Sequence, residues 1–445
     1  MLRTTLLAFA ISLGAGAGAE ADGMLDPSFG NGGLVITDFG SFSFDAAGSL
    51  VLLPDGRAVA AGSAGDIKPP ASMAAARYLP SGALDTTFGG DGTVSLFQTG
   101  CDISFGGWGK GVEAALLQPD GRLVLVGMCT DFEDGGGLVP VFWVVRLDVN
   151  GSLDPTFGAG GQVYLPFPQP GTAPTTNGRV TGILQPDGRI VVMGWGSTAL
   201  VVAARFNTDG SLDPTFGNGG QVALPLADQF VVASAGLQPS GKIVIGGTYG
   251  FGAAGDFGLL RLLPTGIPDP SFDGDGLVTS DFGGPETGLS VIVLADARLV
   301  LGGYRGASPA INPALVRYLP DGALDTSFGT GGLATADAGG QDYAGPVIEL
   351  PNGKFIIVGS TDVAGGRDFL LARFHADGAL DTSFGTAGFL RTDFGTGSDY
   401  GAAVAIAGPD LILTAGTTWP RDSTDFALAR YIATTPVELL AVEVE

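Results

Sequence analysis

The chain has 445 residues, of which 45 are acidic and 21 basic, giving a formal charge of −24 at pH 7. That charge opposes binding to nucleic acid or to an anionic membrane surface, and it suits cationic partners or metal ions. Beyond the N-terminus no segment offers about 20 uninterrupted apolar residues, so the body of the chain holds no membrane-spanning helix.

The opening run Met1-Leu2-Arg3 to Leu13, followed by small residues up to Ala17-Gly18-Ala19, predicts a secretory signal peptide over residues 1–21, cut after Ala19 or Ala21. The mature protein is then expected in the periplasm, at the cell surface or in the medium. Next comes Leu25-Asp26-Pro27-Ser28-Phe29 and a strand at 33–39. From there the phrase Asp, Pro/Thr, Ser/Thr, Phe returns, with its aspartates at Asp26, Asp85, Asp154, Asp213, Asp269, Asp325 and Asp381, 56 to 69 residues apart. Such a period marks a repeat architecture whose units bury their apolar faces against one another, so residues 24–432 form one domain.

Each unit carries further landmarks. A hairpin signal such as Pro54-Asp55-Gly56, Pro119-Asp120-Gly121 or Pro186-Asp187-Gly188 joins two apolar runs, the second ending in glycine, as at Gly62 or Gly416. A third run carries an arginine at Arg77, Arg146, Arg205, Arg261, Arg317, Arg373 or Arg430, and six of these precede the phrase aspartate by eight residues. A fourth run follows the phrase. Four short strands per unit and no convincing helical periodicity predict an all-β, seven-bladed β-propeller of four-stranded antiparallel blades. Because the chain starts with a fourth-type strand and ends after Arg430-Tyr431, that N-terminal strand is expected to complete the last blade, with Arg430 beside Asp26. Residues 433–445 are left as a C-terminal tail.

The phrase, the hairpin and the arginine strand together resemble the bacterial delta-60 repeat, a family believed to form β-propellers and without an assigned biochemical activity. The resemblance implies the fold and brings no catalytic residues.

The repeated aspartates and arginines fit structural roles: Asp and Ser/Thr satisfy turn backbone, Phe anchors the turn, and arginine forms an ion pair. His375 is the single histidine, so a histidine metal cage is excluded. The separation from the glycine-ended strand to the arginine ranges from 11 to 19 residues, whereas the hairpin and phrase hardly change. In an antiparallel blade, alternate connections share a side, so both variable connections fall on one face, the expected binding face. Trp108, Trp195, Tyr249, Tyr304 and Trp419 are assigned to that side. So are Asp38, Asp281 and Asp393 closing fourth strands, and Asp256, Asp368 and Asp425 leading into arginine strands. Cys101 and Cys129, the two cysteines, both sit in its connections, and export predicts a disulfide between them.

The sequence thus favours a monomeric, non-enzymatic propeller binding a protein or glycan on the variable face. The alternatives are a carboxylate-based hydrolase or lyase, for which a bound calcium ion is compatible, and a structural display module. No cofactor is otherwise called for.

Overall fold

In the computed structural model the described residues are 22–40, 43–65, 72–97, 101–102, 111–132, 138–168, 179–196, 200–250, 252–363, 366–395, 397–420 and 423–433. Residues 1–21, where a signal peptide is expected, Trp108 and the tail from 434 lie outside them. Seven antiparallel sheets follow one another along the chain. Blade 1 comprises strands 46–52, 58–64, 72–78 and 93–96, in that spatial order from the inside outwards. Blades 2 to 6 start at Val112, Val180, Phe230, Glu286 and Asp342, and repeat the order. In blade 2 the extra strand Cys101–Asp102 also pairs with the second strand.

Blade 7 holds three strands of its own, Ser398–Gly408, Leu411–Trp419 and Asp425–Ile432. Its outer position is filled from the other end of the chain: Leu34–Thr37 pairs antiparallel with 426–429, and Met24–Leu25 pairs with 431–432. The ring therefore closes by a clasp, which leaves no open sheet edge at the junction.

Each core lies between blades rather than within one. Val124, Val126, Phe142 and Val144 of blade 2, for example, pack with Ile190, Val192, Val202 and Ala204 of blade 3. A blade's middle strands are thus covered on both sides, which is why 58–64 and 72–78 are buried at every position and are mostly small and apolar, with Ser63, Ser72 and Arg77 as buried polar exceptions. The glycine ending the second run has a steric cause. A Cβ on Gly62 would lie 1.8 Å from the carbonyl oxygen of Ala46, on the bulged inner strand.

The phrase and its arginine build a socket that joins neighbouring blades. In blade 3, Arg205 Nε donates to Asp213 Oδ2 at 2.8 Å and Nη2 donates to Thr215 Oγ1 at 3.0 Å, while the guanidinium lies over the Phe216 ring at 4.7 Å. Asp213 Oδ1 accepts from the backbone N–H and hydroxyl of Thr215. Arg205 Nη1 then donates to the carbonyl of Pro264, in blade 4, at 2.6 Å. Every blade repeats this, with Nε–Oδ2 distances of 2.6–2.8 Å. The receiving carbonyls run round the ring: Val149, Thr208, Pro264, Pro320, Ala376, Ala433 and finally Pro80 of blade 1, reached by Arg430. Arg430 pairs with Asp26 across the clasp.

Replacing Arg430 with alanine leaves Asp26 buried beside an apolar ring and strips the carbonyl of Pro80 of its donor. Such a change is expected to cost about 3–5 kcal/mol in denaturant unfolding. Deleting residues 24–40 should lower the melting temperature and cause concentration-dependent association through the bared third strand of blade 7; unchanged melting with monomeric behaviour would contradict closure by the clasp.

Candidate functional site on the variable-loop face

The hairpin turns and phrase turns share one face, and a second basic residue ties them together. Arg57, Arg122, Arg189, Lys242, Arg298 and Lys354, each following the turn residue of its hairpin, reach the phrase aspartate of their own blade at 2.7–3.3 Å. The signal was present in the sequence as Arg or Lys at one hairpin position in six units. In blade 7 that position is Leu411, and Asp26 has Arg430 alone. His375 is also here, 3.5 Å from Asp381 Oδ1. The buried aspartates of this face are thus paired and geometrically fixed.

The opposite face receives the variable connections. A central cavity of about 650 Å³ is lined by inner strands of all seven blades. Its wall is mostly Gly, Ala and Ser, because seven inner strands converge there, and its charged lining residues are Glu113 and Arg179. At the edge made by blades 6 and 7, Tyr343 and Tyr400 also line the cavity. Arg367 lies over Tyr343 at 4.4 Å and Tyr400 at 5.6 Å from the ring centroids, and its Nε donates to Asp362 at 2.6 Å. Tyr304 meets Tyr343 edge to face at 5.3 Å. The sequence offered no signal for Tyr343, Tyr400 or Arg367 as a group, since they come from separate strands.

Carboxylates on this face gather in threes. Asp38, Asp45 and Asp425 have oxygens within 4.8 Å of one another, as do Asp256, Asp281 and Glu286, and Asp368, Asp393 and Asp399. All three clusters have the same construction. One acid follows an outer strand, one lies near the start of the third strand, and one lies at the start of the next blade's inner strand. The first two positions were identifiable from the sequence as a pair; Asp45, Glu286 and Asp399 were not. Burial, then the charges of Asp38 and Asp45, pushes Asp425 up to about 6. Burial likewise raises Asp256, beside Asp281, and Asp368, beside Asp393 and Asp399.

The expected aromatic rim does not form as one surface. Trp195 is 4% exposed and belongs to the core between blades 3 and 4, beside Val201 and Phe230, so its ring is not offered to a ligand. Tyr249 packs partly into the same core, and Tyr304 and Trp419 are half-buried. The sequence placed these rings correctly along their strands, but side-chain direction at a strand end decides between core and rim. Cys129 is disulfide-bonded, and Cys101 is the one other cysteine of the chain.

Fold and face together define an all-β, seven-bladed propeller with one constant and one variable side. Six segments, residues 53–88, 118–157, 185–216, 238–272, 294–328 and 350–384, match the family model described as a domain of unknown function (DUF5122) beta-propeller. Each segment runs from a hairpin to a phrase phenylalanine, and so contains one complete socket. The seventh socket is split between the chain ends. No curated protein matches the chain. Among solved structures it is similar to an unknown-function protein from Dyadobacter fermentans, at 13% identity and TM-score 0.45, covering 90% of this chain and 99% of that one. It is also similar to the polysaccharide lyase Uly1, at 14% identity and TM-score 0.47, covering 87% and 90%. These likenesses bear on neither activity nor ligand. Among the described residues no helix is long and apolar enough to cross a membrane.

Because Trp195 fills core volume, Trp195→Ala is expected to destabilise the protein by about 3–5 kcal/mol. Loss of ligand binding without loss of stability would place the ring at the surface instead.

The acids also predict an asymmetric pH profile in chelator. The Ser327 hydroxyl and Arg317, outweighing desolvation, hold Asp325 at about 2, below its ordinary 3.8. Stability from that depressed group is present above the unfolded value and is lost as pH falls through the folded one. Asp425 has the opposite sign: its contribution is full below 3.8 and disappears as pH rises through about 6. The melting temperature should therefore peak in mildly acidic buffer, and Asp425→Asn should flatten the neutral-side decline without altering the acid limb.

Proposed function

We propose that the chain is an exported propeller of delta-60 type that binds a protein partner over the variable-face mouth of its central cavity. The observation that carries this reading is the cluster of Tyr304, Tyr343, Arg367 and Tyr400 at that mouth. Tyrosine and arginine dominate the energetics of protein interfaces, where they combine large contact area with few rotatable bonds and fixed polar tips. The acid clusters on the same face and the net charge of −24 favour a partner segment that is basic.

Glycan binding is the second reading, weakened by two observations. Trp195, one of the rings expected to stack on a sugar, is buried. The rings of Tyr343 and Tyr400 already face Arg367. A carboxylate hydrolase or lyase needs two acids facing one substrate, whereas among the described residues the cavity lining carries Glu113 as its sole carboxylate. The acids are distributed instead among separate blade junctions.

Peptide and glycan arrays probed with the mature protein test the proposal. Binding is expected on basic peptides, weakening with salt, and Tyr343→Ala with Tyr400→Ala should weaken it about tenfold or more while the fold persists. Signal confined to glycans, or turnover of a glycan, would overturn it.

A further inference from the structure

The junction between blades 7 and 1 differs from the other six in its packing. Its core contains Ala47, Ala58, Ala60, Ala64, Ala74, Ala76, Ala403 and Ala415, where the junction of blades 2 and 3 has mainly Val, Ile and Phe. Small side chains bury less apolar area, so hydrophobic attraction is weaker where the ring must close. The same junction holds the cluster Asp38, Asp45 and Asp425. These acids come from three elements: the clasp strand, the start of blade 1 and the third strand of blade 7.

Two of the three are held in place, and one oxygen of the third lacks a hydrogen-bond partner. Asp45 is fully buried, with Oδ2 accepting from Phe39 N at 2.9 Å and Ser43 Oγ at 2.8 Å, and Oδ1 accepting from Gly65 N at 3.3 Å. Asp38 Oδ1 accepts from Gly40 N at 2.7 Å and from Ser43 Oγ at 3.3 Å. The backbone fixes their spacing, since Asp45 N donates to Thr424 O at 2.8 Å and Thr424 N donates to Ser43 O. Asp425 is 8% exposed, its Oδ1 has no hydrogen-bond partner, and its charged neighbours are the other two carboxylates. A buried carboxylate without a donor or cation is costly, and evolution or folding removes such groups unless something compensates them. Asp425 contributes a carboxylate oxygen to the cluster, and a cation there would compensate the charge that Asp425 otherwise sheds by holding its proton.

We propose that this junction binds a calcium ion, coordinated by Asp38, Asp45 and Asp425, which staples the clasp strand and blade 7 to blade 1. The donor set is oxygen alone, with no histidine or thiol, as hard cations prefer. Three carboxylates from the protein suit calcium, whereas magnesium is usually held by one or two carboxylates and keeps several of its waters. Asp38 is exposed and leaves the remaining coordination positions open to water. The construction recurs at the 4/5 junction, where Glu286 is 1% exposed and its Oε1 lacks a hydrogen bond, with Arg305 Nε 3.6 Å away, and again in the acids of the 6/7 junction. Blades 1 to 3 carry Ser72, Val141 and Leu200 five residues before their arginines, where blades 4, 6 and 7 carry Asp256, Asp368 and Asp425, so the cation sites occupy one part of the ring. The assignment is independent of what the cavity mouth binds.

The test uses the mature chain stripped with EGTA, titrated with calcium chloride in a calorimeter and melted with and without millimolar ion. Saturable binding is expected, together with a rise in melting temperature. Asp425→Asn should remove one equivalent of calcium and reduce that rise, yet in EGTA it should melt no lower than the parent, because it deletes a repelled charge. Asp256→Asn with Asp368→Asn should leave the junction site titratable. No calcium heat and no shift in the parent would overturn the proposal, as would a full calcium response in Asp425→Asn. An equal shift with magnesium would overturn the choice of ion.

Discussion

Everything in this molecule hangs on one guanidinium in each blade. Its Nε is fixed by the phrase aspartate of its blade, its Nη2 by the Ser/Thr hydroxyl of the same turn, and its Nη1 by a carbonyl of the following blade. A buried ion pair is weak evidence for stability when its remaining polar groups are unmet. Here the arginine's three nitrogens all donate, and the aspartate accepts from backbone, hydroxyl, arginine and, in six blades, a hairpin cation. Desolvation is therefore compensated group by group, and what remains is geometric. The planar fork fixes the angle between one blade and the next, which lysine could not do.

That same chemistry divides the protein into two faces. On the hairpin side each phrase aspartate is matched by one or two cations, which consumes a large part of the chain's 21 basic residues. On the other side carboxylates face one another instead, three meeting at each of three junctions. Structure is maintained on the face whose buried aspartates are paired, and the other face is free to vary in loop length and to attract cations.

How much of this could be read from the chain follows from the range of each interaction. The socket is local, since Arg205, Asp213, Thr215 and Phe216 lie within twelve residues, and it recurs, so periodicity exposed the fold, the blade count and the clasp. Arg430 and Asp26 are 404 positions apart, yet their pairing was legible because each was half of a pattern completed elsewhere. The candidate site has no such redundancy. Asp38 and Asp425 stood out by their repeated strand positions, but Asp45 entered the cluster only through the turn that returns the chain to blade 1. Trp195 was misplaced for a related reason: its strand and its end of the strand were evident, while the neighbour blade that covers its ring was not. Tyr343, Arg367 and Tyr400 meet across two blades and share no motif.

A linear solenoid can lose a terminal unit and keep the rest, because each unit touches only its neighbours. A ring has no terminal unit, and the socket series makes the difference physical. Arg430 donates to Pro80, which is held in the turn that follows the third strand of blade 1. Arg77 of that strand donates in turn to Val149 of blade 2. Every blade thus both gives and receives one such bond, and opening any junction leaves a buried donor and a buried carbonyl unpaired. The chain crosses from blade 7 to blade 1 through the clasp strand, which is held to the rest of blade 7 without a covalent link, so the alanine-rich junction of blades 7 and 1 lies beside the one break in the ring and yet must match the other six in angle. It meets that requirement with polar contacts: the Arg430–Asp26 pair, the Tyr78 to Thr37 hydrogen bond of 2.8 Å, and the backbone bonds linking Asp45 and Ser43 to Thr424. These contacts recur at other junctions, as in the Tyr318–Ser280 and Tyr431–Thr392 bonds, and because polar contacts are directional the closing junction keeps the common angle although its apolar side chains are small.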